Sequence, residues 1–200
     1  MDKKSEKHNK AMQKQKERVS ATMAKATQDQ SVVVLLTGNG KGKTSSAFGM
    51  AIRALGYGQQ VAIIQFIKGV QKSGEELFFL EHLKDVPLYQ MGTGFTWDTQ
   101  DRDGDMAAAK ITWDHAKNAL SNPKYDLVIL DELTYMLSYQ YLDEQSVVDV
   151  IIARPSHQNV VITGRGGGSR LREIADTVSE IKEIKHAYNQ GIMAKKGIDF

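Results

Sequence analysis

Short continuous apolar runs alternate with stretches of helical spacing from residue 32 to about residue 184. The run at 32–36 is mostly β-branched and predicts a strand, and strands are also predicted at 60–66, 86–91, 125–130, 159–163 and 178–184. Between them, residues 43–55 place Ala47, Phe48, Ala51 and Leu55 on one helical face, and Gly56-Tyr57-Gly58 stops that helix. A short helix is predicted over 75–83 and a long one over 103–120, with Met106, Ala109, Trp113, Ala116 and Leu120 as its stripe. Further helices are predicted over 134–141, over 143–153 and from 169. Continuous apolar strands alternating with helices mean a parallel sheet covered on both faces, so the expected fold is a single α/β domain spanning 31–200. Residues 1–30 have no Gly or Pro and a thin stripe of Val19, Met23 and Ala26, which predicts a separate helical segment that needs another surface to be stable.

Composition narrows the class. The 200 residues are 41% hydrophobic and 25% charged, as in a globular protein with a real core. The net charge of +2 is uneven: residues 1–30 hold eight Lys/Arg against four Asp/Glu (+4), which leaves −2 for the rest. Such a tail suits a solvated helix or a flap over an anionic ligand at least as well as it suits nucleic acid, and no nucleic-acid partner is expected. No run reaches the length of a membrane span, and Met1-Asp2-Lys3-Lys4 opens no apolar signal segment, so no membrane partner is expected. Zero cysteines exclude disulfides and thiolate metal sites, in keeping with a cytoplasmic location. The five histidines are scattered at no ligand spacing.

The first strand leads into Thr37-Gly-Asn-Gly-Lys-Gly-Lys-Thr44, and a helix opens at once. A Gly-rich turn between strand and helix aims backbone N–H groups at one point beside the positive end of the helix dipole, which is a cradle for a polyphosphate. Gly38, Asn39, Gly40, Lys41, Gly42, Lys43 and Thr44 are the expected nucleotide-binding residues, with Lys43 as the mobile charge and Thr44 as a hydroxyl ligand for Mg²⁺. The first glycine falls one place late for G-x-x-x-x-G-K-[ST], with Thr37 in its position. Asp131 and Glu132 end the strand at 125–130 and are placed either to reach that Mg²⁺ or to start a helix. Arg165, in the Gly-rich turn after 159–163, is either a phosphate ligand or a solvated loop residue. Arg53, farther along the first domain helix, is a phosphate or surface residue. Phe95 and Trp97 stand between Gly92, Gly94 and a polar stretch; two such aromatics either plug a core or face a large flat apolar ligand.

Taken with Gln65-Phe-Ile-Lys-Gly69, Thr93-Gly-Phe-Thr-Trp97, Leu130-Asp-Glu-Leu-Thr-Tyr135, Ala153-Arg-Pro155, Thr163-Gly-Arg165, Ala175-Asp176 and Lys196-Gly-Ile-Asp-Phe200, the phosphate loop makes the chain resemble the ATP:corrinoid adenosyltransferases of the enteric cobalamin type. The resemblance implies a P-loop NTPase-like α/β fold and transfer of the 5′-deoxyadenosyl group of ATP to the Co(I) ion of a corrinoid, with release of triphosphate, in adenosylcobalamin biosynthesis and corrinoid salvage. It also implies that Phe95 and Trp97 face the corrinoid and help strip its lower axial ligand. The residue reading fits that chemistry, with Lys43, Arg165, the loop amides and Mg²⁺ expected to stabilise the triphosphate leaving group. Residues 1–30 become a flap over the corrinoid site. Mg²⁺ or Mn²⁺ at Thr44, Asp131 and Glu132, a homodimer and a flavoprotein or flavin reductant for cobalt complete the expectation. One departure is Gly167-Gly168, where bulkier residues are expected. The competing readings are a P-loop ATPase or kinase acting on another substrate, and a nucleotide-gated binding module whose tail holds nucleic acid. No Asn-Lys-x-Asp motif points to guanine.

Overall fold

A computed structural model of the protein describes residues 3–67, 72–92 and 101–200. The chain forms two compact units, 1–30 and 31–200. The first is one helix, α1 (Lys3–Met23), with Gln13 Nε2 donating to Glu17 Oε1 at 2.9 Å and Thr22 Oγ1 donating to the Arg18 carbonyl at 3.0 Å. The helix stops at Met23, so Ala26 lies in the turn beyond it and does not extend the apolar stripe.

The second unit runs β1 (Val33–Thr37), α2 (Lys43–Gly56), β2 (Val61–Gln65), α3 (Gly74–His82), β3 (Leu88–Gln90), α4 (Arg102–Ser121), β4 (Leu127–Asp131), α5 (Leu133–Ser138), α6 (Glu144–Ile152), β5 (Asn159–Thr163), α7 (Ser169–Ile174) and β6 (Thr177–Glu180), then a 3₁₀ turn at Tyr188–Gln190. The six strands form one sheet in the order β3-β2-β4-β5-β1-β6, and every pairing is parallel. This is the α/β fold that the apolar runs predict.

The strands read as unbroken apolar runs because both faces are covered. Leu36, Val61, Ile63, Leu127, Ile129 and Val161 pack with Ala47, Phe48 and Ala51 of α2 and Phe79 of α3. Their neighbours Val33, Leu35, Ala62, Ile64, Val128, Leu130, Val160 and Ile162 pack with Trp113 and Ala116 of α4, Met136 of α5, Val147 of α6 and Leu171 of α7. The period of two along each strand divides the side chains between the faces. Phe48 and Phe79 meet edge to face at 5.3 Å, fixing α3 against α2.

Two strands are shorter than the apolar pattern suggests. β3 keeps three residues, since Pro87 has no N–H to give to a ladder, although its carbonyl still accepts from Ile63. β6 ends at Glu180 because the phosphate loop turns away from the sheet just beyond Thr37; Ile181 makes one more bond, its N–H donating to the Thr37 carbonyl at 2.8 Å. In a parallel sheet the carboxyl ends of the strands share one edge, so the segments after β1, β2, β4, β5 and β6 emerge together.

Candidate functional site

At that edge a cavity of about 580 Å³ is lined by residues 39–45, Gln65, Glu75, Asp131, Glu132, Arg165 and the segment 197–200, among others. Lys43 begins α2 and is buried, its Nζ donating to the carbonyls of Gly38 at 2.8 Å and Gly40 at 2.9 Å. The ammonium thus braces the loop and has a third donor left for a ligand. Burial first, and then the Arg165 guanidinium, hold its pKa below the usual lysine value. Gly38 has a φ of 97° and Gly42 of 117°, the left-handed region that favours glycine. The Gly40 amide donates to the Ile181 carbonyl at 2.7 Å, so that amide is engaged inside the protein and is not among the donors presented to an anion.

Asp131 is the node of the site. Its Oδ1 accepts from Thr44 Oγ1 at 3.1 Å and from Thr163 Oγ1 at 2.6 Å, and its Oδ2 accepts from Gln65 Nε2 at 3.0 Å. Gln65 is in turn held by Gln90 Nε2 on its Oε1 at 2.8 Å. Burial pushes the Asp131 carboxyl up, against the three hydrogen bonds that favour its charge. Next to it, Glu132 adopts φ 60°, and its N–H donates to Thr163 Oγ1 at 2.9 Å. Its Oε2 is buried and finds no hydrogen-bond partner among the described residues. Burial and the neighbouring Asp131 charge push its carboxyl up to about 7.

Two crowded acids, one with an orphaned oxygen, beside a hydroxyl form an oxygen donor set suited to a hard divalent cation. Among the described residues no three His, Cys, Asp or Glu side chains converge as a cage. A cation here fits only as one shared with the phosphates of a nucleotide, which is how Mg²⁺ is commonly held.

The structure brings Lys41, Lys43, Thr44, Asp131, Glu132 and Arg165 around one cavity. Arg165 is exposed, and its carbonyl accepts from Thr134 Oγ1 at 3.3 Å. Arg53 is not brought to the site. It lies ten residues along α2 from Lys43, about 15 Å of helix rise, and lines a separate cavity of about 210 Å³ with Met50 and Tyr57. Phe95 and Trp97 lie outside the described residues.

The sequence pattern of the family described as ATP:corrinoid adenosyltransferase BtuR/CobO/CobP matches residues 29–200. The chain belongs to this family. It is 46% identical to the corrinoid adenosyltransferase CobA of Salmonella typhimurium over 195 residues, 98% of either chain. Identity to the corrinoid adenosyltransferase of Escherichia coli K12 is also 46%, with the same coverage. That of Pseudomonas aeruginosa is 46% identical over 197 residues, covering 98% of this chain and 97% of the relative.

In this adenosyltransferase the glycines of the Arg165 turn have a packing role. A β-carbon on Gly167 would meet Ser138 Oγ at 2.6 Å and the Thr134 carbonyl at 2.7 Å, so the turn lies flat on α5 only as glycine. Gln65, Thr163 and the segment 197–200 received no role from sequence reasoning. The signal for the first two was a polar residue closing an otherwise apolar, buried strand (VAIIQ and NVVIT). For the segment 197–200, only the motif Lys196-Gly-Ile-Asp-Phe200 was visible.

Proposed function

We propose that Lys43, Arg165 and the free amides of the phosphate loop hold the triphosphate of ATP during the ATP-dependent adenosylation of corrinoids that family membership gives this chain. The observation that carries these roles is the shared cavity of about 580 Å³, around which a braced lysine, a loop arginine and a buried acid pair stand together. The electron pair comes from the substrate: Co(I) attacks the ribose 5′-carbon, the Co–C bond forms, and the C–O bond breaks with its electrons leaving on triphosphate. The chain therefore supplies alignment and charge stabilisation instead of a nucleophile. Family membership disfavours an ATPase or kinase acting on another substrate. An anaerobic assay with chemically reduced corrinoid and ATP tests the reading by its product, which is triphosphate; orthophosphate or ADP would return the ATPase or kinase reading.

Thr44, Asp131 and Glu132 would hold Mg²⁺ or Mn²⁺ together with phosphate oxygens. A divalent ion there would neutralise charge on the departing triphosphate. The supporting observation is the orphaned Glu132 oxygen beside Asp131. The double substitution Asp131→Asn, Glu132→Gln is expected to raise the Mg²⁺ concentration for half-maximal rate by at least about tenfold. An unchanged metal dependence in the folded variant sinks the assignment.

Phe95 and Trp97 are assigned to the lower face of the corrinoid, where they would exclude the axial base and make Co(II) easier to reduce. The support is their Gly-flanked aromatic sequence together with the family resemblance. Phe95→Asp and Trp97→Asp are expected to suppress turnover from Co(II) much more than turnover from preformed Co(I), with ATP binding nearly intact. Equal losses from both cobalt states would make them packing residues.

Residues 1–30 are assigned as the flap. The family pattern begins at residue 29, so this role rests on composition and resemblance. Deletion of residues 1–28 should leave thermal stability nearly intact and weaken corrinoid binding or turnover; matching affinity and rate would discard the flap. A homodimer, a flavoprotein or flavin reductant and a cytoplasmic location follow from the same resemblance. Sedimentation equilibrium, reconstitution with reduced flavin and cell fractionation are their tests. No helix among the described residues is long and apolar enough to cross a membrane.

A further inference from the structure

The chain beyond β6 returns to the phosphate loop at two separate places. The first is Ile181, whose carbonyl accepts from Gly40 N–H and whose own N–H donates to the Thr37 carbonyl. A β-carbon on Gly38 or Gly40 would run into the Ile181 backbone, so loop and chain are in close contact there. The second is Asp199, whose Oδ1 lies 3.1 Å from Lys41 Nζ, on the crest of the same loop.

Asp199 is held independently of that lysine. Its Oδ2 accepts from Lys195 N–H at 2.8 Å, its N–H donates to the Lys195 carbonyl at 2.7 Å, and Gly197 N–H donates to the Phe200 carbonyl at 2.8 Å. These bonds close residues 195–200 into a turn that presents the carboxylate. The Lys195 amide, and after it the Lys41 ammonium, hold the carboxyl below the usual aspartate range. Gly197, Ile198, Asp199 and Phe200 line the cavity that also holds Lys43 and Glu132.

A surface ion pair contributes little by itself: the Lys41 side chain is 44% exposed and that of Asp199 25%. What the pair joins is more consequential, since it fastens a cavity wall to the loop that carries the phosphate donors. A carboxylate resting on a vacant cation would be a competitor of phosphate. Here the turn fixes Asp199 through its own backbone, which favours an anchor over a competitor.

We propose that Asp199 clasps the segment 195–200 to Lys41 and makes it one wall of the ATP site, so that Asp199 is a positioning residue for ATP and not for the corrinoid. The inference rests on reading the cavity as the ATP site. The test compares wild type, Asp199→Asn and Asp199→Glu by equilibrium dialysis with ATP and by separate KM values for ATP and reduced corrinoid. Asp199→Asn is expected to weaken ATP roughly three- to tenfold with the corrinoid KM within about twofold of wild type, and Asp199→Glu to recover most of the loss. If Asp199→Asn binds ATP as well as wild type or more tightly, or if ATP and corrinoid weaken together, the clasp is overturned while the ATP reading stands. Failure of the wild-type chain to bind ATP overturns both.

Discussion

Lys43→Ala is expected to lower turnover by at least about a thousandfold while leaving the unfolding temperature close to wild type. Removing one preorganised donor from developing charge commonly costs a factor of 10²–10³, and Lys43 carries a full charge besides. Its ammonium also ties together the Gly38 and Gly40 carbonyls, so its loss relaxes the loop that positions the remaining amides. Stability responds differently. Burial holds the lysine pKa down, which means that the charged form is less favourable in the folded chain than in the unfolded one. Replacing it removes a group whose charge opposes folding, and that offsets the two lost hydrogen bonds. Steady-state kinetics with reduced corrinoid, paired with a thermal melt, checks both halves. A variant that keeps a tenth of the turnover would move the triphosphate elsewhere.

The second large effect is expected at Gly38. A side chain there meets two costs at once: the left-handed φ of 97° and the Ile181 backbone in the place of the β-carbon. Gly42 isolates the first cost, since its φ is 117° but, among the described residues, nothing beyond its chain neighbours lies within 4 Å of its β-carbon position. The conformational cost is about 1–2 kcal/mol, and overpacking against backbone adds about 1–3 kcal/mol. Gly38→Ala should therefore lose roughly 2–5 kcal/mol and Gly42→Ala only about 1–2. For a domain of this size that is a drop of roughly 4–20 °C for Gly38→Ala. Because the strain is relieved by pushing the loop off Ile181, ATP affinity should fall by about a hundredfold or more in Gly38→Ala. Equal melting temperatures for the two variants would show that Ile181 does not press on the loop.

What could be read in the sequence was whatever is encoded locally. Residues 159–163 (Asn-Val-Val-Ile-Thr) are mostly β-branched between turn formers, and the strand has those ends. The order strand, Gly-rich turn, helix put Lys43 and Thr44 at the start of α2, and an apolar strand ending in Asp131-Glu132 put two acids at the same sheet edge. The positions that sequence reasoning left without a role are set by residues far along the chain. Gln65 reads as an ordinary polar strand end until Asp131, 66 residues on, turns out to accept its hydrogen bond. The Gly40 amide looks like a phosphate donor until Ile181 takes it. Arg53 lies apart from the cavity for a geometric reason: proximity to the motif in sequence becomes distance once the intervening residues are helical, at about 1.5 Å each.

The placement of β1 has a consequence for the order in which this protein is made. Its two neighbours in the sheet are β5 and β6, with Val33 opposite Val160 and Leu35 opposite Val178. As the chain leaves the ribosome, the strand that carries the phosphate loop emerges among the first and stays without a partner until β5 follows. β2 and β4, which pair with each other, are free to associate before then. Closing β1 onto strands so distant in sequence is a slow step. A nascent chain stopped before residue 159 would hold the whole Gly-Lys-Thr motif and have no sheet position for the strand beneath it. Nucleotide binding therefore reports that synthesis has passed β5, and products that end before residue 159 should be invisible to ATP.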